Sequence, residues 1–202
     1  MLNAQKVFLS NMRDADALTG IYDYLTNTVV TPMSFDDLLR SKIVYSVSAF
    51  DKFMHDLIRV GMVQTYTGKR PPTPKYLAVP IPLSTAQQLA TTSTPPPEVV
   101  FEQAIQSKLR TLSFQDPDKI ADGLSYIWAE NSKWQRIAVG IGLPENTART
   151  TLRLIAVRRN AIVHEADMDP ITGSKLAITR TESDDVVSFL LKVGNEICRL
   201  VT

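Results

Sequence analysis

Three residues in one short string have the right types for acid–base chemistry on a phosphate: Arg159, Asn160 and His164. Arginine supplies a permanent cation whose forked donors match phosphate oxygens. Histidine can take and give a proton near neutral pH, and an amide can orient either partner. His164 stands at the predicted C-terminal end of a helix, where exposed carbonyls favour a protonated imidazole. A lone histidine or a lone arginine is an ordinary structural residue; the combination at one helix end carries the signal.

The helix that must position them is predicted from Glu145 to Glu165, ending before Pro170. At 100° per residue, Leu152, Ile155, Ala156, Ile162 and Val163 fall in an arc of about 120°, and Arg159 points into its middle. A buried, unpaired guanidinium is costly. Arg159 therefore either pairs with a carboxylate, as a structural ion pair, or faces a cleft or partner. Arg149, Arg153, Asn160 and His164 form a second stripe about 60° wide, a track suited to phosphates or else a solvated face.

An earlier helix is predicted from Ser34 to between Gln64 and Gly68, with Ser34 as N-cap and acids in its first turn. Ile43, Val47, Phe50, Met54, Leu57 and Ile58 form its core face. Ser48, Asp51 and His55 run along one edge. Asp51 is the expected carboxylate for Arg159, and an exposed helix face is the alternative for Asp51 and His55.

The remaining chain reads as all-helical. Further helices are predicted at about residues 11–28, 98–112, 116–129 and 182–200, with Asp116 and Pro117 as an N-cap and N1 pair. Residues 68–97 hold eight of the twelve prolines and read as an extended excursion within a single domain spanning 1–202, with a short helix from Ser84 to Thr92. Gly140, Gly142 and Pro144 mark one turn and Asp169-Pro170-Ile171-Thr172-Gly173 another. Trp128 and Trp134 are expected core anchors, and Cys198 a buried small hydrophobe.

Composition narrows the functional classes. A net charge of +1 gives no whole-chain attraction to nucleic acid, so an anion site must come from local clustering. One cysteine excludes an intrachain disulfide and fits a reducing cytoplasm. Two histidines, His55 and His164, are a thin set for a metal, and no cofactor is expected. No apolar run approaches the length of a membrane span, and polar residues from Asn11 to Asp16 interrupt any signal-peptide core.

The string Arg158-Arg159-Asn160-Ala161-Ile162-Val163-His164-Glu165-Ala166-Asp167 resembles the HEPN superfamily, in its RiboL-PSP-HEPN branch. The stretch from Ile43 to Asp56 resembles an earlier helix of the same branch. The resemblance implies a helical bundle with an R-x4-H motif, metal-independent RNA cleavage and a homodimer with the motif at its interface. It implies catalytic roles for Arg159 and His164 with Asn160 beside them; Asp51, Ser48 and His55 stand as candidate supports, and Arg149, Arg153 and Arg158 as candidate RNA contacts. It further implies a toxin or anti-phage setting, with an antitoxin or defence-system partner. A non-catalytic RNA- or nucleotide-binding module and a dimeric adaptor stay open as alternatives. Some HEPN toxins carry a modifiable tyrosine two residues beyond the motif histidine; Ala166 stands there, so control by a nucleotidyltransferase is not expected.

Overall fold

The computed structural model describes residues 1–202 as nine helices without a named strand. In chain order they are α1 (Leu2–Thr28), α2 (Asp36–Tyr66), α3 (Pro74–Leu77), α4 (Leu83–Thr91), α5 (Pro97–Leu109), α6 (Pro117–Leu124), α7 (Lys133–Gly140), α8 (Glu145–His164) and α9 (Arg180–Val201). The fold is all-α. No helix is long and apolar enough to cross a membrane.

The 31-residue α2 is the hub. It packs along α1 and also touches α5, α6, α8 and α9. Its apolar periodicity puts Ile43, Val47, Phe50, Met54, Leu57 and Ile58 in the core, all nearly solvent-free. The rings of Phe8 and Phe53 stack at 4.6 Å, with Phe50 edge-on to Phe8 at 6.2 Å. Each fully buried aromatic or aliphatic side chain of this kind contributes about 1.5–3 kcal/mol by leaving water.

One buried cation ties three helices together. The ammonium of Lys42 meets Asp16 at 2.8 Å and the Thr19 hydroxyl at 2.7 Å on α1, and Asp184 on α9. Three partners around one desolvated charge offset much of its burial cost.

Several boundaries differ from the sequence reading. α1 begins nine residues earlier than the expected residue 11, because Ala4, Phe8 and Met12 continue its buried stripe. The Ser34 hydroxyl accepts from the Asp36 amide, but Phe35 occupies the N-cap position of α2. Asp116 caps α6 as expected, accepting from the amides of Asp118 and Lys119 at 2.8 and 3.2 Å. That helix then stops at Leu124 rather than 129. The short α7 had no counterpart in the sequence reading. Trp134 on it is buried and donates from its indole to the Pro117 carbonyl at 2.6 Å, whereas Trp128 is only partly buried. Cys198 is buried as expected.

The Pro-rich stretch divides in two. Residues 77–97 are half-exposed or exposed and carry α4, which lies on α5. The part before it is anchored: Arg70 donates to the Ile127 and Val201 carbonyls, and the Thr73 hydroxyl donates to Ser125 O at 2.7 Å while capping α3.

Candidate active site

The site begins with the polar edge of α2. Ser48, Asp51, Lys52, His55, Asp56 and Arg59 recur at helical spacing and line a cavity of about 620 Å³. Gln106 and Arg110 at the end of α5, together with Gln115, form a second wall, and Arg159 on α8 forms a third. Four cations thus face two carboxylates around one cavity.

The loop after α5 fixes the first wall. Asp51 Oδ1 accepts from the Phe114 amide at 2.5 Å. The Phe114 ring, fully buried, meets the His55 ring edge-on at 4.7 Å. Phe114 reaches this depth because α6 carries glycine at 123, where a Cβ would sit 2.3 Å from its ring. His55 Nε2 lies 3.7 Å from Asp51 Oδ2, too long for a hydrogen bond.

Arg159 reaches the cavity without a carboxylate partner. Its Nη1 donates to Asn160 Oδ1 at 3.1 Å, and its Nε is buried with no partner at all. The expected ion pair with Asp51 is not formed: Asp51 shares the cavity but is held by the Phe114 amide and flanked by His55. The other three arginines of α8 behave differently. Arg149 pairs with Asp118, and with Glu145 at 3.5 Å. Arg153 lies 2.9 Å from Asp118 and 3.7 Å from Asp116. Arg158 meets Asp167 at 2.9 Å and the Ala177 carbonyl at 3.0 Å.

These pairs revise the expected phosphate track. Asp116 and Asp118, which cap and open α6, partly neutralise Arg149 and Arg153. Such exposed pairs are weak, so a phosphate can compete for these two arginines. Arg158 is different, since its partner Asp167 is fully buried. It is part of the fold rather than of a solvent-facing track.

His164 is the last residue of α8 and is exposed. It lies outside the Arg159 cavity. The two motif residues diverge by about 140° around the helix, so they do not converge within one chain. Asn160 does not reach His164 either; it holds the Arg159 guanidinium.

The chain beyond His164 is tightly specified. Ala166 and Asp167 both take left-handed backbone, with φ of 52° and 58°, a region open to glycine and tolerated by Asp. The Asp167 amide reaches back to the Ala161 carbonyl at 3.0 Å and closes the end of α8. Its side chain accepts from Arg40 Nε on α2 at 2.7 Å as well as from Arg158. Met168 then pairs with Lys175 across a narrow loop. At its tip Asp169 accepts from the amides of Ile171 and Thr172 at 2.8 and 2.9 Å, which holds the Asp169 carboxyl below its ordinary range. Lys175 hydrogen-bonds Asp37 at 2.6 Å and lowers that carboxyl likewise.

Several contributors were missed from the sequence. Lys52 and Arg59 could have been found by extending the Ser48–His55 edge along the helix. Arg40 shares the core stripe of Ile43 and Val47 on the wheel, and a cation there signals a buried partner. Arg110 carries no such signal, since only tertiary packing brings α5 to the cavity.

A family model described as RiboL-PSP-HEPN matches residues 13–202. No curated protein and no solved structure matches the chain.

Proposed function

The chain belongs to the RiboL-PSP-HEPN family, and from that premise we propose that it is a metal-independent endoribonuclease, acting as a toxin or an anti-phage defence effector. One observation carries the reading. Of the four arginines on α8, only Arg159 lacks a carboxylate, and it does so on the wall of a polar cavity. A fold that neutralises its neighbours leaves this guanidinium available for an anion.

The chemistry uses the RNA 2′-hydroxyl as nucleophile. Arg159 binds the scissile phosphate and stabilises the charge that builds on its oxygens. Asn160 holds the guanidinium in place. His164 transfers a proton, as base toward the 2′-oxygen or as acid toward the leaving 5′-oxygen. The products are a 2′,3′-cyclic phosphate and a 5′-hydroxyl. The nucleophile belongs to the substrate, so no metal-activated water is needed, and DNA is not cut.

A homodimer completes this arrangement. Arg159 and His164 diverge on one helix, and a two-fold axis beside α8 brings a second copy of each into one cleft.

Cleavage of several RNAs by purified protein in excess EDTA, with identification of the product ends, tests the proposal. Cyclic-phosphate ends formed under EDTA support it; 3′-hydroxyl ends, or activity that needs a divalent ion, count against it. The second reading is a binding or adaptor module, favoured by the separation of Arg159 from His164 within one chain. It predicts RNA binding without cleavage.

A further inference from the structure

The proposed mechanism uses one histidine, yet the chain's other histidine, His55, is the one that shares a cavity with Arg159. We propose that this cavity binds a phosphodiester of single-stranded RNA, with Arg159 and Arg110 taking the phosphate and His55 acting as proton acceptor. The substrate class rests on the ribonuclease reading above; the placement of the site does not.

Three observations carry it. First, the cations of the cavity are not equivalent. Lys52 and Arg59 are held by Asp56 at 2.8 and 3.2 Å, and Arg59 also by Glu102. Arg110 and Arg159 have no carboxylate partner, so the charge left free for a ligand stands at the C-cap of α5 and on α8. Second, the Arg159 Nε is buried without an acceptor and its Nη1 has only the neighbouring Asn160 amide, so nothing in the fold neutralises this guanidinium. Third, His55 is built in. Its ring packs on Phe114, its side chain is 24% exposed, and Asp51 stands 3.7 Å from its Nε2. Asp51 is itself fixed by a backbone amide. A fixed carboxylate thus stands beside the imidazole, where it favours the cation formed on proton uptake. The opening holds more than a bare phosphate, and its polar walls suit a sugar–phosphate unit.

The step balances. The proton of the 2′-hydroxyl passes to the His55 imidazole, where Asp51 stabilises the new charge. The 2′-oxygen forms its bond to phosphorus, and the bond from phosphorus to the 5′-oxygen breaks. The leaving 5′-oxygen takes its proton from His164, which the dimer described above supplies. His55 and His164 thus divide the base and acid roles.

The chain has only two histidines, so its imidazole signals are readily assigned by NMR. The probe is a short mixed-sequence single-stranded DNA, which lacks the 2′-hydroxyl and is not cleaved. Titration should move the His55 signals. Arg159→Met and Arg110→Met should each weaken binding by about tenfold or more, the loss expected for a charged hydrogen bond. His55→Gln, checked for unchanged circular dichroism, should lower kcat on RNA by about a hundredfold or more with little change in KM. His55 signals that stay still while those of His164 move would overturn the proposal, as would full kcat in His55→Gln. If no preparation cleaves RNA, the ribonuclease reading and the proton step fail together. The titration still decides whether the cavity binds nucleic acid.

Discussion

Arg40 on the second helix and Asp167, three residues past the motif histidine, meet at 2.7 Å across 127 positions of sequence. Asp167 is solvent-free and Arg40 nearly so. The contact fixes where α8 ends and so where His164 is presented. Arg40→Met leaves a buried carboxylate with only Arg158 to hold it. Loss of one partner of a buried pair costs about 3–5 kcal/mol, and urea unfolding should show a loss of that order. A change below about 1 kcal/mol, the worth of an exposed pair, would mean that the contact does not hold the helix end.

Arg159→Ala should behave in the opposite way. The guanidinium has no carboxylate to orphan, so stability should change by less than about 1 kcal/mol. RNA cleavage should fall by about a hundredfold or more, the effect of removing one donor to a charged transition state. His164→Ala should likewise fold and lose activity. Thermal unfolding measured beside cleavage separates the cases, since an Arg159→Ala protein that unfolds would make the residue structural.

Association should be needed for activity. Light scattering should give a dimer at micromolar concentration, and activity per chain should fall on dilution below its dissociation constant. A monomer equally active at every dilution would refute the two-fold arrangement.

The loop from Asp167 to Leu176 should loosen in acid. Lys175 and two backbone amides hold the carboxyls of Asp37 and Asp169 below their ordinary value of 3.8. A depressed folded value means that the contribution is fully present above 3.8. It is lost as pH falls through the lower folded values. Hydrogen exchange at the Gly173 and Leu176 amides, compared with α9, should accelerate first in that window. Exchange rates that track the rest of the chain would show that these carboxylates do not hold the loop.

Excising residues 78–94 and bridging the gap with a flexible linker should preserve the helical circular dichroism, because none of them is buried. Excision from residue 70 should not, since Arg70 and Thr73 are fastened to the bundle by carbonyls of Ser125, Ile127 and Val201. Equal stability of the two deletions would contradict this division.

The α-helical plan was legible because its long helices carry strong apolar periodicity. The helices expected from Ser34 to between Gln64 and Gly68, from Glu145 to Glu165 and from 182 to 200 correspond to α2, α8 and α9, with ends displaced by two residues or fewer. The short α7 was not legible: eight residues give little periodicity, and its burial depends on Trp134 finding Pro117. At the site, the wheel correctly separated Arg159 from His164 and aligned Ser48, Asp51 and His55. It could not give Arg158 its partner, which is set by Asp167 folding back beneath it. Nor could it find Arg110, or show that a backbone amide at Phe114 would occupy Asp51.

Cys198 offers a practical handle. It is the only thiol in the chain, it is 2% exposed, and burial pushes its titration upward, so it resists alkylation in the folded protein. Ile171 stands 93% exposed at the tip of the loop that follows the motif. A cysteine introduced there would be the one reactive thiol, and a spin label on it needs no cysteine-free background. Two labels in a dimer would act as a ruler between the two loops, reading how the α8 ends face each other before any RNA is added.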